Sequence, residues 1–310
     1  MKRKIILLSV IMSVCFFLAS CQKDLYHKYG SNDNVCVNIV WDKVAPDGAS
    51  FMRLFAFPRS GSTYKYDFDN VNGGNLYLGV GSYKMLVVNP DDEIVDIITD
   101  DYDNAYVTTT ITNVLAAMNR AGLVGAPSPA GSAGQEIRHQ PIAMYVDTCA
   151  YLNIVENGND IVMHPISIVD TIQVEIKNVT NLKYVVGLSA AITGLAPEKY
   201  LVSMKPKGEL CTMTMPLSIS GDDTIQGTMV IFGAHGVDEK PNHTLTVYVL
   251  NDDGNKYYYN YDVTDQINAW DGEGGAIKVE IPGLNIPAST GGGFRPEVGG
   301  WVSINDEIEL

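Results

Sequence analysis

A β-hairpin is encoded by residues 244–261, TLTVYVLNDDGNKYYYNY. Apolar side chains occupy alternate positions in 245–249, and tyrosines occupy alternate positions in 257–261. Between these runs lies the segment 251–255, whose Asn, Asp and Gly residues favour tight turns. A period of two places alternate side chains on one face of a strand. The segment therefore predicts two antiparallel strands joined by a short turn.

The tyrosines of this hairpin allow two interpretations. A sugar-binding platform would present aromatic rings on an exposed face, whereas a half-buried strand would use them in cross-strand pairs. The alternation favours the half-buried strand, because three of the four rings fall on one face. The residues concerned are Tyr257, Tyr258, Tyr259 and Tyr261.

The same alternation recurs along most of the chain. Residues 51–57 are apolar on both faces apart from Arg53, which predicts a central strand. Residues 144–155 predict a strand pair. Many short strands with closely spaced turns are typical of β-sandwiches. Further strands are predicted at 35–41, 64–68, 76–80, 83–88, 172–176, 211–217 and 277–281.

Two helical segments are also predicted. The first is an α-helix that Thr110 caps and Gly122 follows. The second is a capped helical turn at residues 264–268. The first helix is predicted from an i, i+3, i+4, i+7 apolar stripe, namely Ile111, Val114, Leu115 and Met118.

An export signal precedes the strands. Residues 1–20 have a basic start, an apolar run and a small-residue end, which is typical of a signal peptide. The segment Leu18-Ala19-Ser20-Cys21 matches a bacterial lipobox, in which the cysteine thiol takes a diacylglycerol. The apolar run is too short for a membrane-spanning helix, and a polar segment follows it at once. We expect lipidation at Cys21, a polar stalk over 21–33, and no cofactor besides this covalent lipid.

The mature chain is predicted to form two domains. It has about 290 residues, enough for two ordinary domains. The segment 157–160, Asn-Gly-Asn-Asp, is the best candidate boundary. The predicted division is an N-terminal β-sandwich over 34–158 and a C-terminal β-sandwich over 159–310.

Charge and cysteine content exclude several classes of protein. Loss of the three basic signal residues lowers the net charge from −15 to −18, which disfavours a nucleic-acid partner. Cys36, Cys149 and Cys211 remain after Cys15 and Cys21 are assigned, so at most one disulfide could form. We expect these three cysteines to be small buried side chains.

The sequence offers weak signals for a bound metal ion. His235 and His243 flank one loop and could meet, but surface histidines are far commoner. Acidic segments at 100–104 and 251–255 could hold calcium loosely, although the second lacks the glycine that an EF-hand requires. Turns explain both segments more simply.

Two short resemblances concern export and modification. Lys23-Asp24 resembles the surface-export signal of Bacteroidetes lipoproteins, and a solvated spacer explains it equally well. Asp170-Thr171-Ile172 and Asp223-Thr224-Ile225 resemble the Bacteroidetes O-glycosylation motif. Both also open predicted strands, so turn-to-strand junctions explain them as well.

Several segments together resemble the Bacteroidales fimbrillin-anchor and Mfa-like accessory lipoproteins. The similarity spans nearly the whole mature chain, and the order of the segments carries it. Besides the lipobox they are Leu78-Gly79-Val80-Gly81-Ser82-Tyr83, Val87-Val88-Asn89, Gly194-Leu195-Ala196, Leu245-Thr246-Val247, Asp262-Val263-Thr264-Asp265-Gln266-Ile267, and Gly291-Gly292-Gly293-Phe294 followed by Trp301.

This resemblance implies two tandem transthyretin-like Greek-key sandwiches. It also implies an outer-membrane lipoprotein that faces the cell exterior and serves as an anchor or accessory subunit of surface fimbriae. Fimbrillin-type subunits would be its partners. The shaft subunits of such fimbriae are trimmed by a protease, and no clear basic cleavage site is present in the predicted first strands, which favours anchor or accessory over shaft.

The last ten residues form a candidate partner strand. A glycine-rich loop precedes them, and their amphipathic alternation suits addition to a partner's open sheet. Alternatively the strand closes its own sandwich, as termini commonly do. The apolar residues of this strand are Val302, Ile304, Ile308 and Leu310.

Three functional classes follow. The first is the fimbrial anchor or accessory subunit. The second is a surface glycan-binding lipoprotein of a polysaccharide-uptake system, which exposed aromatics on one sandwich face would favour. The third is a hydrolase, which a carboxylate pair roughly 5–9 Å apart in a cleft would favour. No GxSxG, P-loop or GxGxxG motif is present, and we expect no enzyme.

Replacement of the lipidated cysteine tests the tether. Cys21→Ser should move the protein from the membrane fraction to the soluble fraction, because no acyl chain remains to bury. Cys15→Ser, inside the signal peptide, should leave the acylated amino terminus at Cys21 unchanged. Cell fractionation with mass spectrometry of the amino terminus measures both, and an intact, unmodified terminus in the wild-type protein would contradict the assignment.

Overall fold

β-Strands dominate the structure, which confirms the predicted mostly β fold class. The computed structural model describes residues 33–41, 49–89, 93–120, 123–156, 158–234, 240–270, 276–289 and 300–304. The predicted signal peptide, Cys21 and nearly all of the predicted stalk lie outside these described residues. The tandem transthyretin-like arrangement stays a prediction.

The strands that begin before residue 170 are β1 (Val35–Ile39), β2 (Arg53–Pro58), β3 (Tyr64–Asp67), β4 (Gly73–Leu76), β5 (Gly81–Val88), β6 (Val95–Ile98), β7 (Tyr106–Thr109), β8 (Ile137–His139), β9 (Tyr145–Ile154), β10 (Asn159–Met163) and β11 (Ile166–Ser167).

The later strands are β12 (Asp170–Ile176), β13 (Val179–Thr180), β14 (Val185–Leu195), β15 (Glu198–Tyr200), β16 (Pro206–Lys207), β17 (Cys211–Pro216), β18 (Ser218–Ser220), β19 (Thr224–Ile231), β20 (Thr244–Asn251), β21 (Lys256–Asp262), β22 (Ile277–Ile281), β23 (Leu284–Asn285) and β24 (Val302–Ser303). The helical segments are α1 (Thr264–Asn268) and two 3-10 turns, Ala116–Met118 and Leu182–Tyr184.

Two sheets of the first half enclose an apolar core. One has the strand order β10-β1-β4, and the other has the order β11-β9-β5-β2-β3. Val37 from the small sheet packs in one cluster with Leu54 from β2 and with Met85 and Val87 from β5. These sheets therefore form a sandwich.

The opposite face of β2 and β5 is also buried. Phe55, Leu86 and Val88 belong to a second, larger cluster, which continues into the second half through residues such as Ile172 and Val174. The prediction of a central strand at 51–57 is confirmed, because β2 lies between β3 and β5 and is buried on both faces.

The second half is built on a six-stranded sheet with the order β24-β21-β20-β14-β17-β8 and a four-stranded sheet with the order β18-β19-β12-β22. The predicted hairpin is confirmed as β20 and β21, where Val247 is the register partner of Tyr259. In its turn the Gly254 amide donates to the Asn251 carbonyl at 3.0 Å, with Gly254 at a φ of +86°. Only glycine adopts such a φ without steric cost.

Strand pairing continues across the predicted boundary at residue 158. β10, which begins at Asn159, pairs in parallel with β1 of the first half. In the other direction β8 pairs with β17, and β7 pairs with β15. Sheets of the structure therefore combine strands from both sequence halves, and the division into domains at 158 stays a prediction.

The predicted α-helix after Thr110 is wrong. Val114, Leu115 and Met118 are buried as expected, but only the 3-10 turn Ala116–Met118 forms, and Ile111 is exposed. The backbone instead hydrogen-bonds to a neighbouring strand, since the Thr112 amide donates to the Ile137 carbonyl at 2.8 Å. This pairing with the β8 segment outweighs the local helical pattern.

Two smaller predictions also need correction. Residues 144–155 form the single strand β9 rather than a strand pair, because no glycine or proline interrupts them and β5 pairs along their length. Of the three cysteines only Cys211 is buried, while Cys36 and Cys149 are partly exposed. The helical turn at 264–268 is confirmed as α1, and Asp262 Oδ1 accepts from the Thr264 amide at 2.9 Å.

A buried arginine at the start of β2 generates a pH-dependent prediction. Arg53 is buried and donates to both carboxylate oxygens of Asp67 across the β2–β3 pair, at 2.5 and 3.1 Å. The Arg53 hydrogen bond lowers the pKa of the Asp67 carboxyl. A lowered folded-state pKa contributes stability above the unfolded-state pKa, and this contribution disappears as the pH falls through the folded-state pKa.

Asp67→Asn should lower the free energy of unfolding by about 1 kcal/mol at neutral pH, a value reduced by the half-exposure of Asp67. The difference from wild type should begin to shrink below about pH 4 and vanish only below the lowered folded-state pKa of Asp67. Urea unfolding at several pH values measures this. Asp103→Asn is the matched control, since Asp103 pairs with Lys84 at the exposed surface and should show no such change. A pH-independent difference at Asp67 would disprove the ion-pair explanation.

Candidate functional site

The described part of the candidate partner strand lies on the edge of its own six-stranded sheet. β24 pairs in parallel with β21, with Val302 opposite Tyr257 and Ser303 opposite Tyr258. The Ile304 amide then donates to the Tyr258 carbonyl at 3.2 Å. Ile308 and Leu310 lie outside the described residues. Within residues 300–304 this pairing covers two register positions, compared with seven for β20 and β21.

Trp301 holds this strand to the sheet through an aromatic contact. Its ring packs edge-on against Tyr248, with centroids 5.4 Å apart and planes at 88°. Such a T-shaped pair places the positive ring edge on the negative ring face. The Tyr248 hydroxyl donates to the Pro127 carbonyl at 2.7 Å, and burial raises the Tyr248 pKa. Trp301 therefore contacts a well-ordered cluster.

The predicted apolar residues of the strand differ in exposure. Val302 is 51% exposed, whereas Ile304 is partly buried against the main core. Trp301 packs instead into the cluster on the other face of the sheet, with Leu115 and Met118. The alternation in 302–310 did not indicate this aromatic contact, because Trp301 precedes it.

The tyrosines of β21 are structural, as their alternation indicated. Tyr257 and Tyr259 are buried. The Tyr259 hydroxyl donates to the Asn285 carbonyl at 2.9 Å, and the Tyr261 hydroxyl donates to the Gly283 carbonyl at 3.4 Å. These bonds attach β21 to the β23 segment, so the three rings do not form an exposed platform.

Among the weaker metal candidates the structure describes His243 and the acidic segment 100–104. His243 is buried, with Nδ1 2.9 Å from the Thr193 carbonyl, and His235 lies outside the described residues. In the segment 100–104, Asn104 Nδ2 donates to Asp101 at 2.5 Å. Within the described ranges no group of three or more His, Cys, Asp or Glu side chains is placed to hold a metal ion.

The two threonine motifs both lie at the beginnings of strands. Asp170 opens β12, and Thr224 opens β19 directly after a turn. Thr224 Oγ1 donates to Asp223 Oδ1 at 3.1 Å. Both threonines are half-buried in strand pairing, so the structure agrees with the interpretation as junctions.

A comparison with protein families finds a match over most of the chain. A family model described as "Domain of unknown function (DUF5119)" matches residues 20–218. The chain belongs to this family. No curated protein matches the DUF5119 chain.

A solved structure shares the fold of this DUF5119 protein, and others are similar to it at lower TM-scores. A candidate adhesin from Bacteroides ovatus ATCC 8483 has a TM-score of 0.59 at 18% identity, covering 86% of this chain and 96% of that chain. The fimbrial anchor protein Mfa2 from Porphyromonas gingivalis has a TM-score of 0.45 at 11% identity, covering 81% of this chain and 89% of that chain. A candidate polysaccharide-binding protein (DUF1812) from Bacteroides thetaiotaomicron VPI-5482 has a TM-score of 0.49 at 8% identity, covering 80% of this chain and 89% of that chain.

The resemblance to Bacteroidales surface proteins of this kind is confirmed at the level of the fold, by the candidate adhesin from Bacteroides ovatus. At 18% identity this likeness concerns the fold alone. In the part of the DUF5119 chain that is described, no helix combines the length and apolar character needed to cross a membrane.

Adjacent substitutions in the terminal strand test how it is held. Trp301→Ala should lower the free energy of unfolding by about 2 kcal/mol, less than a fully buried aromatic would, because Trp301 is half-buried. Val302→Ala should change it by less than about 0.5 kcal/mol, because that side chain is largely exposed. Urea unfolding measures both, and equal effects would mean that Trp301 does not hold the strand.

Proposed function

We propose that this protein is a lipid-anchored cell-surface subunit of fimbriae, with an anchor or accessory role in adhesion or assembly. The lipobox at Cys21 supports the anchor, and the order of family-like segments supports the fimbrial role. The fold shared with a candidate adhesin agrees with this role. The lipid would hold the protein in the outer membrane, facing the cell exterior.

The observation that carries the proposal is the position of β24 at the edge of its sheet. Among residues 300–304, Val302 and Ser303 form ladder pairs with β21, and Val302 is half exposed. An edge strand pairs on one side of its backbone, so it leaves the sheet at lower cost than an internal strand. The Trp301 ring and the partly buried Ile304 side chain help to keep it in place.

In this proposal residues 301–310 leave β21 and add to the open sheet of a fimbrial subunit. Main-chain hydrogen bonds would supply affinity, and the alternating apolar side chains would supply specificity. Val302 and Ile304 would then lie on one face of the shared strand, together with Ile308 and Leu310. The role is structural and needs no catalytic group.

Truncation after Gly300 tests the proposal. The shortened protein should still unfold cooperatively in urea, because β24 is an edge strand and the other five strands of the sheet pair without it. It should lose co-sedimentation with fimbriae isolated from the producing bacterium. Trp301→Ala is the matched control, since it loosens the strand yet keeps it, and it should co-sediment at least as well as wild type.

Two outcomes would overturn this assignment. If the truncated protein is unfolded by circular dichroism, residues 301–310 belong to the folded core and are not available for donation. If it is folded and still co-sediments as wild type does, another surface makes the contact.

A further inference from the structure

A groove of about 570 Å³ opens at one end of the five-stranded sheet, far along the chain from the terminal strand. It is formed by the β2–β3 turn (59–63), the start of β5, the β6–β7 turn (99–105) and the middle of β9. Its volume lies within the roughly 300–1,000 Å³ typical of small-ligand sites. The groove brings together two segments noted separately in the sequence, with Ser82 and Tyr83 from the family-like run and Asp100 and Asp101 from the acidic segment 100–104.

The floor of the groove is a buried tyrosine. Tyr102 is 3% exposed, and its ring packs edge-on against Phe57 with centroids 5.5 Å apart. The Lys84 ammonium lies 4.8 Å from the Tyr102 centroid and donates to Asp103 Oδ2 at 2.5 Å. Cation and ring attract each other electrostatically. The Tyr102 ring is therefore held by contacts with both Phe57 and Lys84.

One wall is an exposed tyrosine that hydrogen bonds hold in place. Tyr151 is 70% exposed, and its hydroxyl accepts from Asn153 Nδ2 at 3.0 Å. Asn153 Oδ1 in turn accepts from Ser82 Oγ at 2.6 Å. Because Ser82 and Asn153 are register partners, this chain of bonds spans the β5–β9 pair. These bonds position the Tyr151 hydroxyl, while most of the ring is exposed to solvent.

The polar lining carries charges of both signs. Asp100 and Asp101 lie on one side, and Arg59 and Lys84 also line the groove. Asp101 is oriented by the hydrogen bond from Asn104. Mixed charge does not favour a polyanion or a polycation. It supplies acceptors and donors to a neutral ligand that has many hydroxyl groups.

We propose that this groove binds a neutral saccharide. The apolar C–H face of one sugar ring would stack on Tyr151, because the electron-rich ring face attracts such hydrogens. Hydroxyl groups at the ring edge would donate to Asp100 and Asp101 and accept from Arg59. The inference does not rest on the fimbrial role, since the groove and β24 lie on different sheets.

Affinity electrophoresis of the purified protein tests this site. Native gels containing soluble neutral glucan, mannan, galactan or arabinan serve as probes, and at least one should retard the protein. Tyr151→Ala should weaken that binding about tenfold through loss of stacking. Tyr151→Phe keeps the ring and should stay within about threefold of wild type. Tyr77→Ala is the matched control, because Tyr77 is 58% exposed outside the groove and should bind as wild type does.

Asp100→Ala gives a second test that leaves the aromatic ring unchanged, and it should also weaken binding because it removes two acceptor oxygens. Circular dichroism confirms that each variant is folded. The proposal is overturned if no neutral polysaccharide retards the protein, or if Tyr151→Ala and Asp100→Ala both bind as wild type does. It is also overturned if, in parallel gels, only the acidic polysaccharides heparin and polygalacturonate retard the protein.

Discussion

Burial of both faces of β2 and β5 is the constraint on which the rest of the structure depends. Leu54 and Met85 pack into the sandwich with β1, while Phe55 and Leu86 pack into the larger core shared with the second half. Alternate side chains of a strand point to opposite faces, so one sheet joins two cores only if both sets are apolar. A one-residue slip in register would exchange the two sets and disrupt both cores at once.

This constraint explains the different character of the two candidate surfaces. The groove rests on the rigid sheet, because Ser82 and Lys84 extend from β5 itself and Tyr151 from its neighbour β9. Tyr151 is linked to this pair of strands through Asn153 and Ser82. Among residues 300–304 the β24 edge is held by two ladder pairs, the hydrogen bond of the Ile304 amide and the ring contact of Trp301. A surface of that kind suits exchange of strands rather than rigid recognition.

The segment after Thr110 shows where local pattern and tertiary structure diverge. The apolar stripe correctly indicated that Val114, Leu115 and Met118 are buried, although Ile111 of the same stripe is exposed. It did not determine the backbone, since an extended segment beside β8 satisfies the amide of Thr112 through a partner distant in sequence. Helix propensity is worth a few tenths of a kcal/mol per residue and yields to such pairing.

Local alternation was sufficient to predict the β20–β21 hairpin, the central strand β2 and the mostly β class, because a period of two is a property of each strand alone. Local sequence also accounts for α1. Only the tertiary structure decided that β10 pairs with β1, that Trp301 packs on Tyr248, and that Tyr102 and Tyr151 line one groove. Those relations depend on which distant strands meet, and hydrophobic alternation is compatible with many such pairings.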